Sequence, residues 1–233
     1  MKTIGMIGGM SWESTLEYYR IVNQEVKTRL GGLHSAKCLL YSVDFQEVER
    51  LQHENRWEAA GELLSRAAQG LEKGGADFIL ICTNTMHKVA GAVQNSVSIP
   101  LLHLADATAG AITEMGLKRI ALLGTRFTMQ EDFYKGRLID AFGLDVLVPN
   151  EQDMDVIHRV IYAELCLGKI SCESRKKYLD IIDRLQGEGA QGVILGCTEI
   201  GLLVKQTDSE IPLFDTTDIH ARAAVDFALG QTV

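Results

Sequence analysis

The sequence lacks the features that mark membrane, secreted and nucleic-acid-binding proteins. No apolar run approaches the roughly 20 residues that a helix needs to cross a bilayer. The first residues show neither the charged region nor the long apolar stretch and small-residue cleavage site of a signal peptide. The net charge is −8 and no cluster of Lys and Arg occurs, which argues against phosphate backbones and anionic membranes as partners. We therefore expect a cytoplasmic protein without a nucleic-acid or membrane partner.

Cysteine motifs for metals and disulfides are also missing. The five cysteines are an odd number without a Cys-x-x-Cys pair, which in a reducing compartment favours core residues or reactive thiols over disulfides. Cys82 and His87 are the nearest approach to a zinc site, but such a site needs more ligands clustered at short spacing. The glycines match neither Gly-x-Gly-x-x-Gly nor a Gly-Lys-Ser/Thr loop. We therefore predict no metal and no tightly bound nucleotide.

What the chain does contain is an alternation of short apolar runs and helical segments. Its 233 residues, 46% of them hydrophobic, suffice for one large or two small domains. The segments between the apolar runs carry helical periodicity, as in 57–71, and Gly116, Gly143 and Gly189 are placed to end helices. The pattern predicts an α/β fold built from βαβ units. Its buried parallel strands are predicted at 3–7, 38–43, 77–82, 119–123 and 192–195.

The two halves of the chain repeat one another. A repeat that spans about half of the chain indicates a duplicated domain rather than a solenoid, whose period is roughly 20 to 50 residues. In the same order and at nearly the same offset, residues 2–8 resemble 118–124, 75–82 resemble 189–196, and 99–101 resemble 211–213. We predict two pseudo-symmetric lobes, each a parallel sheet flanked by helices, with lobe 1 at 1–104 and lobe 2 at 105–215. A C-terminal helix at 216–233 is expected to pack back on lobe 1.

Small and hydroxyl residues follow the predicted strands at their carboxyl ends. In parallel sheets, ligands bind beyond these ends, where helix N-termini present free N–H groups. For any one segment the commoner role of such residues is to cap a helix. Four segments at equivalent strand ends favour a site for a small carboxylate in one cleft between the lobes, lined by 8–11, 83–85, 124–128 and 197–199.

Two cysteines, Cys82 and Cys197, occupy matching places in this pattern. A lone cysteine at a strand end is more often structural. A thiol has a pKa of about 8.5, which a helix N-terminus lowers, so a fraction is expected to be ionised near neutrality. It can then act as a nucleophile, a redox group or a base. One thiol on each lobe would suit proton removal from one face of a carbon and delivery to the other.

Three motifs make the chain resemble the aspartate/glutamate racemase family. They are Ile-Gly-Gly-Met at 7–10, Asn-Thr-x-His at 84–87 and Gly-Cys-Thr-Glu at 196–199. The resemblance covers essentially the whole chain and is greatest for the bacterial branch with Gly-Gly-Met-Ser-Trp-Glu-Ser-Thr and Cys-Thr-Asn-Thr-Met-His. It implies an amino-acid substrate, two pseudo-symmetric lobes, a homodimer, and neither pyridoxal phosphate nor metal. It also implies two thiols that alternate as base and acid.

The chain departs from this pattern at the first thiol. The family's first cysteine directly precedes the Asn-Thr, where this sequence has Thr83, while Cys82 lies one residue earlier. Side chains alternate along a strand, so this shift would aim Cys82 away from the cleft unless the backbone bulges. We favour Thr83 over Cys82 as the lobe 1 group and Cys197 as the main base. In the family the second-lobe thiol takes the α-proton of the L-enantiomer, which implies a preference for L-substrates.

The resemblance also implies roles for the surrounding residues. Asn84, Thr85 and Thr198 would hold the α-carboxylate and stabilise the carbanion, and His87 and Glu199 would tune the two proton-transfer groups. For the distal carboxylate the candidates are Arg50 and Arg126, because a lysine of some aspartate racemases is replaced here by Cys166. The remaining pocket residues are predicted to be Met10, Gln52, Thr125, Phe127 and Thr128.

Three functions remain open from the sequence. The first is a racemase that uses Cys197 and Thr83. The second is a related cis–trans isomerase or decarboxylase with one nucleophilic cysteine, which would form a covalent adduct with a dicarboxylate. The third is a non-catalytic amino-acid-binding module, which would bind tightly without proton exchange.

Overall fold

A computed structural model describes residues 1–230. The chain forms two compact units. Unit 1 comprises Met1–Ala107 and the residues from His220 onward, and unit 2 comprises Thr108–Ile219. Among the helices of the described residues, none is both long and apolar enough to cross a membrane.

Unit 1 contains a three-stranded parallel sheet in the order β2-β1-β3. Its elements follow the chain as β1 (Ile4–Gly8), α1 (Trp12–Leu30), β2 (Cys38–Ser42), α2 (Phe45–His53), α3 (Trp57–Lys73), β3 (Phe78–Ile81), a 3-10 helix (Thr85–Val89) and α4 (Ala90–Asn95). Helix α5 (Leu104–Glu114) begins in unit 1 and ends in unit 2.

Strands β1 and β3 of the unit 1 sheet are buried on both faces, which explains their continuous apolar runs, whereas β2 is partly exposed. Along β3, Ile79 and Ile81 pack in a cluster with residues of α2, α3 and α4. Phe78 and Leu80 point the other way, into a cluster with residues of α1 and of the C-terminal helix. The end of β3 therefore lies between two apolar layers.

Unit 2 contains a four-stranded parallel sheet in the order β5-β4-β6-β7. Its core lies between this sheet and the helices α8, α9 and α10. The elements are β4 (Arg119–Gly124), α6 (Arg126–Gln130), α7 (Asp132–Phe142), β5 (Asp145–Leu147), α8 (Glu151–Ala163), a 3-10 helix (Leu165–Leu167), α9 (Cys172–Gly187), β6 (Val193–Gly196), α10 (Ile200–Leu203), a 3-10 helix (Gln206–Asp208) and β7 (Leu213–Asp215).

The last helix, α11 (Thr216–Leu229), starts in unit 2 and returns the chain to unit 1. There Ala221, Ala224, Val225 and Ala228 pack in the cluster that also holds Tyr18 of α1. The last three residues of the predicted helix at 216–233 lie outside the described residues.

The predicted fold class and the positions of its five strands are confirmed. The predicted burial of the strand at 38–43 is wrong, because every residue of β2 is partly or fully exposed. The three glycines expected to end helices, Gly116, Gly143 and Gly189, all have positive φ. Two strands were not predicted, β5 and β7. Each has only three residues, most of them partly exposed.

Candidate active site

In unit 1, a tight turn at Gly8 and Gly9 joins β1 to α1. A Cβ at Gly9, whose φ is +92°, would lie 2.2 Å from the carbonyl oxygen of Val43, so this position requires glycine. The Gly9 N–H donates to the hydroxyl of Thr15 in the first turn of α1, at 2.8 Å. The Gly-Gly pair of the first motif therefore brings the start of α1 against the end of β1.

The end of β3 separates Cys82 from Thr83. The Cys82 side chain is fully buried in the apolar cluster that contains Leu80 and Tyr18, and this burial raises the pKa of its thiol. Thr83 is half-buried and reaches solvent. Asn84 and Thr85 follow in the 3-10 turn and are buried. Thr83 is therefore the more accessible of the two candidate proton-transfer groups.

Met86, in the 3-10 helix after Thr83, contacts one predicted pocket residue, Gln52, and shares a buried apolar cluster with another, Met10. The side-chain amide of Gln52, on α2, lies 3.0 Å from the Met86 sulfur, to which it donates a weak hydrogen bond. Met10 is buried in the same cluster as Met86. Gln52 thus contacts the segment that follows Thr83, and Met10 lies in the apolar cluster into which that segment packs.

His87 folds back onto the start of its own turn. Its Nδ1 lies 2.8 Å from the carbonyl oxygen of Thr83, and its Nε2 accepts the N–H of Leu104 at 3.2 Å. The ring is buried and holds the Thr83 carbonyl directly. The sequence motif identified His87 but carried no signal for the residues around its ring, among them His103 and His220.

In unit 2, two glycines face each other at the ends of β4 and β6. Gly124 and Gly196 are in register, and a Cβ at Gly196 would lie 2.7 Å from the Leu123 carbonyl oxygen. The methyl group of Thr128 would lie 3.3 Å from the same Cβ. The absence of side chains here lets α6 pack directly against the strand end that carries Cys197.

The predicted hydroxyl-bearing turn caps α6. Thr125 is the N-cap, and its hydroxyl oxygen accepts the Thr128 N–H at 3.3 Å. The two hydroxyl groups are 3.2 Å apart, and both threonines are buried. Phe127 is half-buried and points edge-on toward the ring of His158 on α8, with centroids 6.5 Å apart.

Cys197, Thr198 and Glu199 form one hydrogen-bonded group after β6. The Cys197 thiol donates to Oε2 of Glu199 at 2.9 Å, and the Thr198 hydroxyl donates to the same oxygen at 2.8 Å. All three residues are buried, with Cys197 8% and Glu199 2% exposed. The Glu199 side chain therefore links the thiol and the neighbouring hydroxyl in one buried group.

The pKa of Cys197 differs from the sequence-based expectation. Burial raises this pKa well above its ordinary value, and the negative charge of Glu199 raises it further. The expectation of a partly ionised thiol near neutrality is therefore wrong for the resting protein. The turn does place Cys197 at the start of a helix, but α10 has only four residues and does not offset desolvation.

The candidate cations for a distal carboxylate are on the surface. Arg126 makes salt bridges with Asp155 and with Glu151, the latter at 3.5 Å. Arg50 is exposed on α2. Cys166 is half-buried and packs against the same core cluster as Cys197. Arg126 is already paired with acidic residues in this structure.

Similarity to known proteins accords with this arrangement. The chain is 55% identical to a Yersinia pestis protein proposed to be an Asp/Glu racemase, over 98% of this chain and 100% of that one, with a TM-score of 0.92. It is 36% identical to an aspartate racemase homologue from Pyrococcus horikoshii OT3, with the same coverage and a TM-score of 0.85. The broad-specificity amino-acid racemase RacX of Bacillus subtilis is 24% identical over 97% of this chain and 98% of its own.

A family model supplies the assignment. The model described as Asp/Glu/hydantoin racemase matches residues 7–224, a span that includes the glycine turn after β1, the Thr83 turn and the Cys197 group. The chain therefore belongs to the Asp/Glu/hydantoin racemase family and is an isomerase.

Proposed function

We propose that this protein is a cofactor-independent racemase of aspartate and glutamate that prefers the L-enantiomers and uses Cys197 and Thr83 for proton transfer. The observation that carries the proposal is the hydrogen-bonded pair of Cys197 and Glu199 at the carboxyl end of β6. The substrates follow those in the names of the similar proteins.

Cys197 acts as the base toward the L-enantiomer, with Glu199 as its proton acceptor. Because the resting thiol is protonated, it must lose its proton before it can accept one from carbon. The Glu199 carboxylate, 2.9 Å away, takes that proton when substrate binds. The thiolate then takes the α-proton and leaves a carbanion on the substrate. Thr198 orients Glu199 through its own hydroxyl bond to the carboxylate.

Thr83 serves as the proton donor to the opposite face of the α-carbon. Its accessible hydroxyl can deliver or relay a proton, but it is a very poor base at neutral pH. The buried Cys82 thiol, packed among apolar side chains with a raised pKa, is a poor alternative. Abstraction from the L-enantiomer by Cys197 is therefore the easier half-reaction.

Thermodynamics limits how this preference appears. L- and D-amino acids have equal free energy in water, so the ratio of forward to reverse kcat/KM for complete inversion must be one. The asymmetry shows only in the half-reactions, as exchange of the α-proton with solvent. We expect that exchange from L-substrates outpaces their inversion.

The remaining predicted contacts are assigned to the substrate's polar groups. Asn84 and Thr85 with their neighbouring amides hold the α-carboxylate, and Thr125 and Thr128 present hydroxyl groups in unit 2. Met10, Gln52 and Phe127 shape the pocket. With Arg126 held by acidic neighbours and Cys166 in the place of a lysine, the distal carboxylate is only weakly selected. We infer that aspartate and glutamate are both accepted.

A homodimer and a cytoplasmic location are part of the same proposal and rest on the resemblance. In unit 1, Trp12, Leu16 and Leu40 expose apolar surface that a second subunit would cover.

The proposed function is tested by chiral chromatography of L- and D-aspartate and L- and D-glutamate incubated with the purified protein. We expect all four to approach the racemic mixture, with equal activity after treatment with hydroxylamine and after treatment with a chelator. A stable covalent adduct on Cys197 without inversion would indicate the single-cysteine isomerase or decarboxylase. Tight binding without inversion would indicate a binding module.

Replacing Glu199 with glutamine tests its role as proton acceptor. Glu199→Gln removes the charge that raises the pKa of Cys197, so the thiol is alkylated faster by iodoacetamide at any given pH. Proton exchange from L-substrates nevertheless falls by about a hundredfold, because the thiol proton has lost its acceptor. Mass spectrometry of the Cys197 peptide and proton NMR in deuterated water measure the two rates.

The exposed Glu210 provides the matched control. Glu210→Gln leaves both rates unchanged. Wild-type exchange in Glu199→Gln would show that another group accepts the thiol proton.

A further inference from the structure

A cluster of three histidines and a tyrosine in unit 1 contacts the Thr83 carbonyl group through His87. Tyr18 and His220 are fully buried, and the Tyr18 hydroxyl lies 2.8 Å from Nδ1 of His220. The ring of His220 meets that of His87 edge-on, with centroids 5.9 Å apart, and His103 meets His87 from another side at 4.6 Å. Tyr18 and His220 are 202 positions apart in sequence and belong to no motif.

The hydrogen bonds fix which nitrogen of each ring carries a proton. His220 Nε2 lies 3.0 Å from the Leu102 carbonyl oxygen, which can only accept, so Nε2 donates and Nδ1 accepts the Tyr18 hydroxyl. His87 has the opposite tautomer. Its Nε2 accepts the Leu104 N–H, so the proton is on Nδ1 and is donated to the Thr83 carbonyl. Each ring therefore uses both nitrogens while neutral.

His220 stays uncharged at physiological pH. Burial lowers the pKa of His220 to about 3, and the neighbouring His87 contributes to the shift. A second proton on either ring would also remove the acceptor of a buried hydrogen bond. The groups that face His220 are Tyr18 on α1, His87 and the Leu102 carbonyl. The hydrogen bonds of Tyr18, His220 and His87 therefore hold these groups in place, and His220 does not take up or release protons.

These bonds form a continuous connection from α1 and α11 to the Thr83 peptide. His220 holds the carbonyl of Leu102, and two residues later the N–H of Leu104 holds His87. His87 in turn holds the carbonyl of Thr83. Hydrogen bonds therefore hold the backbone on either side of His103, at Leu102 and Leu104. The bond from His87 to the Thr83 carbonyl fixes the peptide that sets the direction of the Thr83 side chain.

We propose that Tyr18 and His220 are positioning residues for Thr83, acting through His87. This inference rests on the proposed function, because it assigns the cluster to the Thr83 half-reaction and not to that of Cys197. A proton donor must be held within a few tenths of an ångström of its productive position. Loosening the cluster therefore slows delivery of the proton to the second face while abstraction by Cys197 continues.

The test compares exchange with inversion in Tyr18→Phe, which removes one hydroxyl group and keeps the ring. We expect inversion of L-aspartate and L-glutamate to fall about tenfold, with exchange of their α-protons at the wild-type rate. His220→Leu shows the same split. His220→Gln keeps an N–H near the Nε2 position and restores most of the inversion rate. Circular dichroism confirms that each variant is folded.

Tyr134→Phe is the matched control. Tyr134 is fully buried in unit 2, where its hydroxyl donates to Thr108 at 3.4 Å. This variant leaves the ratio of exchange to inversion at the wild-type value. An equal fall of both rates in Tyr18→Phe, or no fall in either, would overturn the positioning role.

A second readout does not depend on activity. The amide N–H of Asn84 belongs to the peptide that His87 holds, so its NMR chemical shift moves in Tyr18→Phe, whereas that of Thr198 does not. An unchanged Asn84 shift overturns the positioning role even if the wild-type protein proves inactive toward all four substrates. Inactivity with a moved Asn84 shift contradicts the proposed function alone.

Discussion

Cys197→Ala loses both exchange and inversion of L-aspartate and L-glutamate, each by at least about a thousandfold. In the proposed mechanism the thiol is the base for the first proton transfer, and a methyl group cannot take its place. Glu199 remains in the variant, but in the proposed mechanism its carboxylate acts only on the thiol, to which it is hydrogen-bonded. Proton NMR in deuterated water measures the loss of the α-proton, and chiral chromatography measures inversion.

Two other cysteines provide controls for this result. Cys172 is exposed at the start of α9 and Cys82 is buried in the apolar core of unit 1. Cys172→Ala and Cys82→Ala keep exchange at the wild-type rate. Retained exchange in Cys197→Ala would contradict its role as base, and its loss in Cys82→Ala alone would transfer that role to Cys82.

Thr83→Val separates the two half-reactions. Valine has nearly the shape of threonine but no hydroxyl, so the proposed donor to the second face is lost while the turn is preserved. We expect inversion to fall by at least about a hundredfold, with the α-protons of L-substrates still exchanged by Cys197. Exchange and inversion are followed in the same NMR tube and by chiral chromatography of its contents.

Thr113→Val is the control, because Thr113 is exposed on α5 and its hydroxyl bonds only to carbonyl groups of its own helix, at Ala109 and Gly110. Both rates stay at the wild-type value in this variant. Inversion at the wild-type rate in Thr83→Val would show that Thr83 does not deliver the proton.

The sequence predicts those strands whose residues are all buried. Strands β1, β3 and β6 are buried along their whole length and stand out as apolar runs. The internal repeat adds the expectation of two sheets. Strands β5 and β7 lie at the edges of the unit 2 sheet, and each has only three residues, of which at most one is buried, so neither leaves a distinct apolar signal.

The candidate site could be predicted in part. Cys197, Glu199 and His87 are predicted because they belong to the two motifs of the family that follow β6 and β3 in the sequence. The raised pKa of Cys197 could not be predicted, since it depends on how deeply the turn is buried and on the direction of the Glu199 side chain. The contact of Tyr18 with His220 could not be predicted from the sequence either, because only the folded chain brings α1 and α11 together.

The most direct test of the account is proton NMR of the wild-type protein in deuterated water with each of the four enantiomers. Loss of the α-proton and inversion are compared within each reaction. We expect L-aspartate and L-glutamate to lose their α-protons faster than they invert, and D-substrates to exchange no faster than they invert. Equal exchange and inversion for both enantiomers would contradict the asymmetric roles of Cys197 and Thr83, and exchange from none of the four would contradict the assignment to aspartate and glutamate.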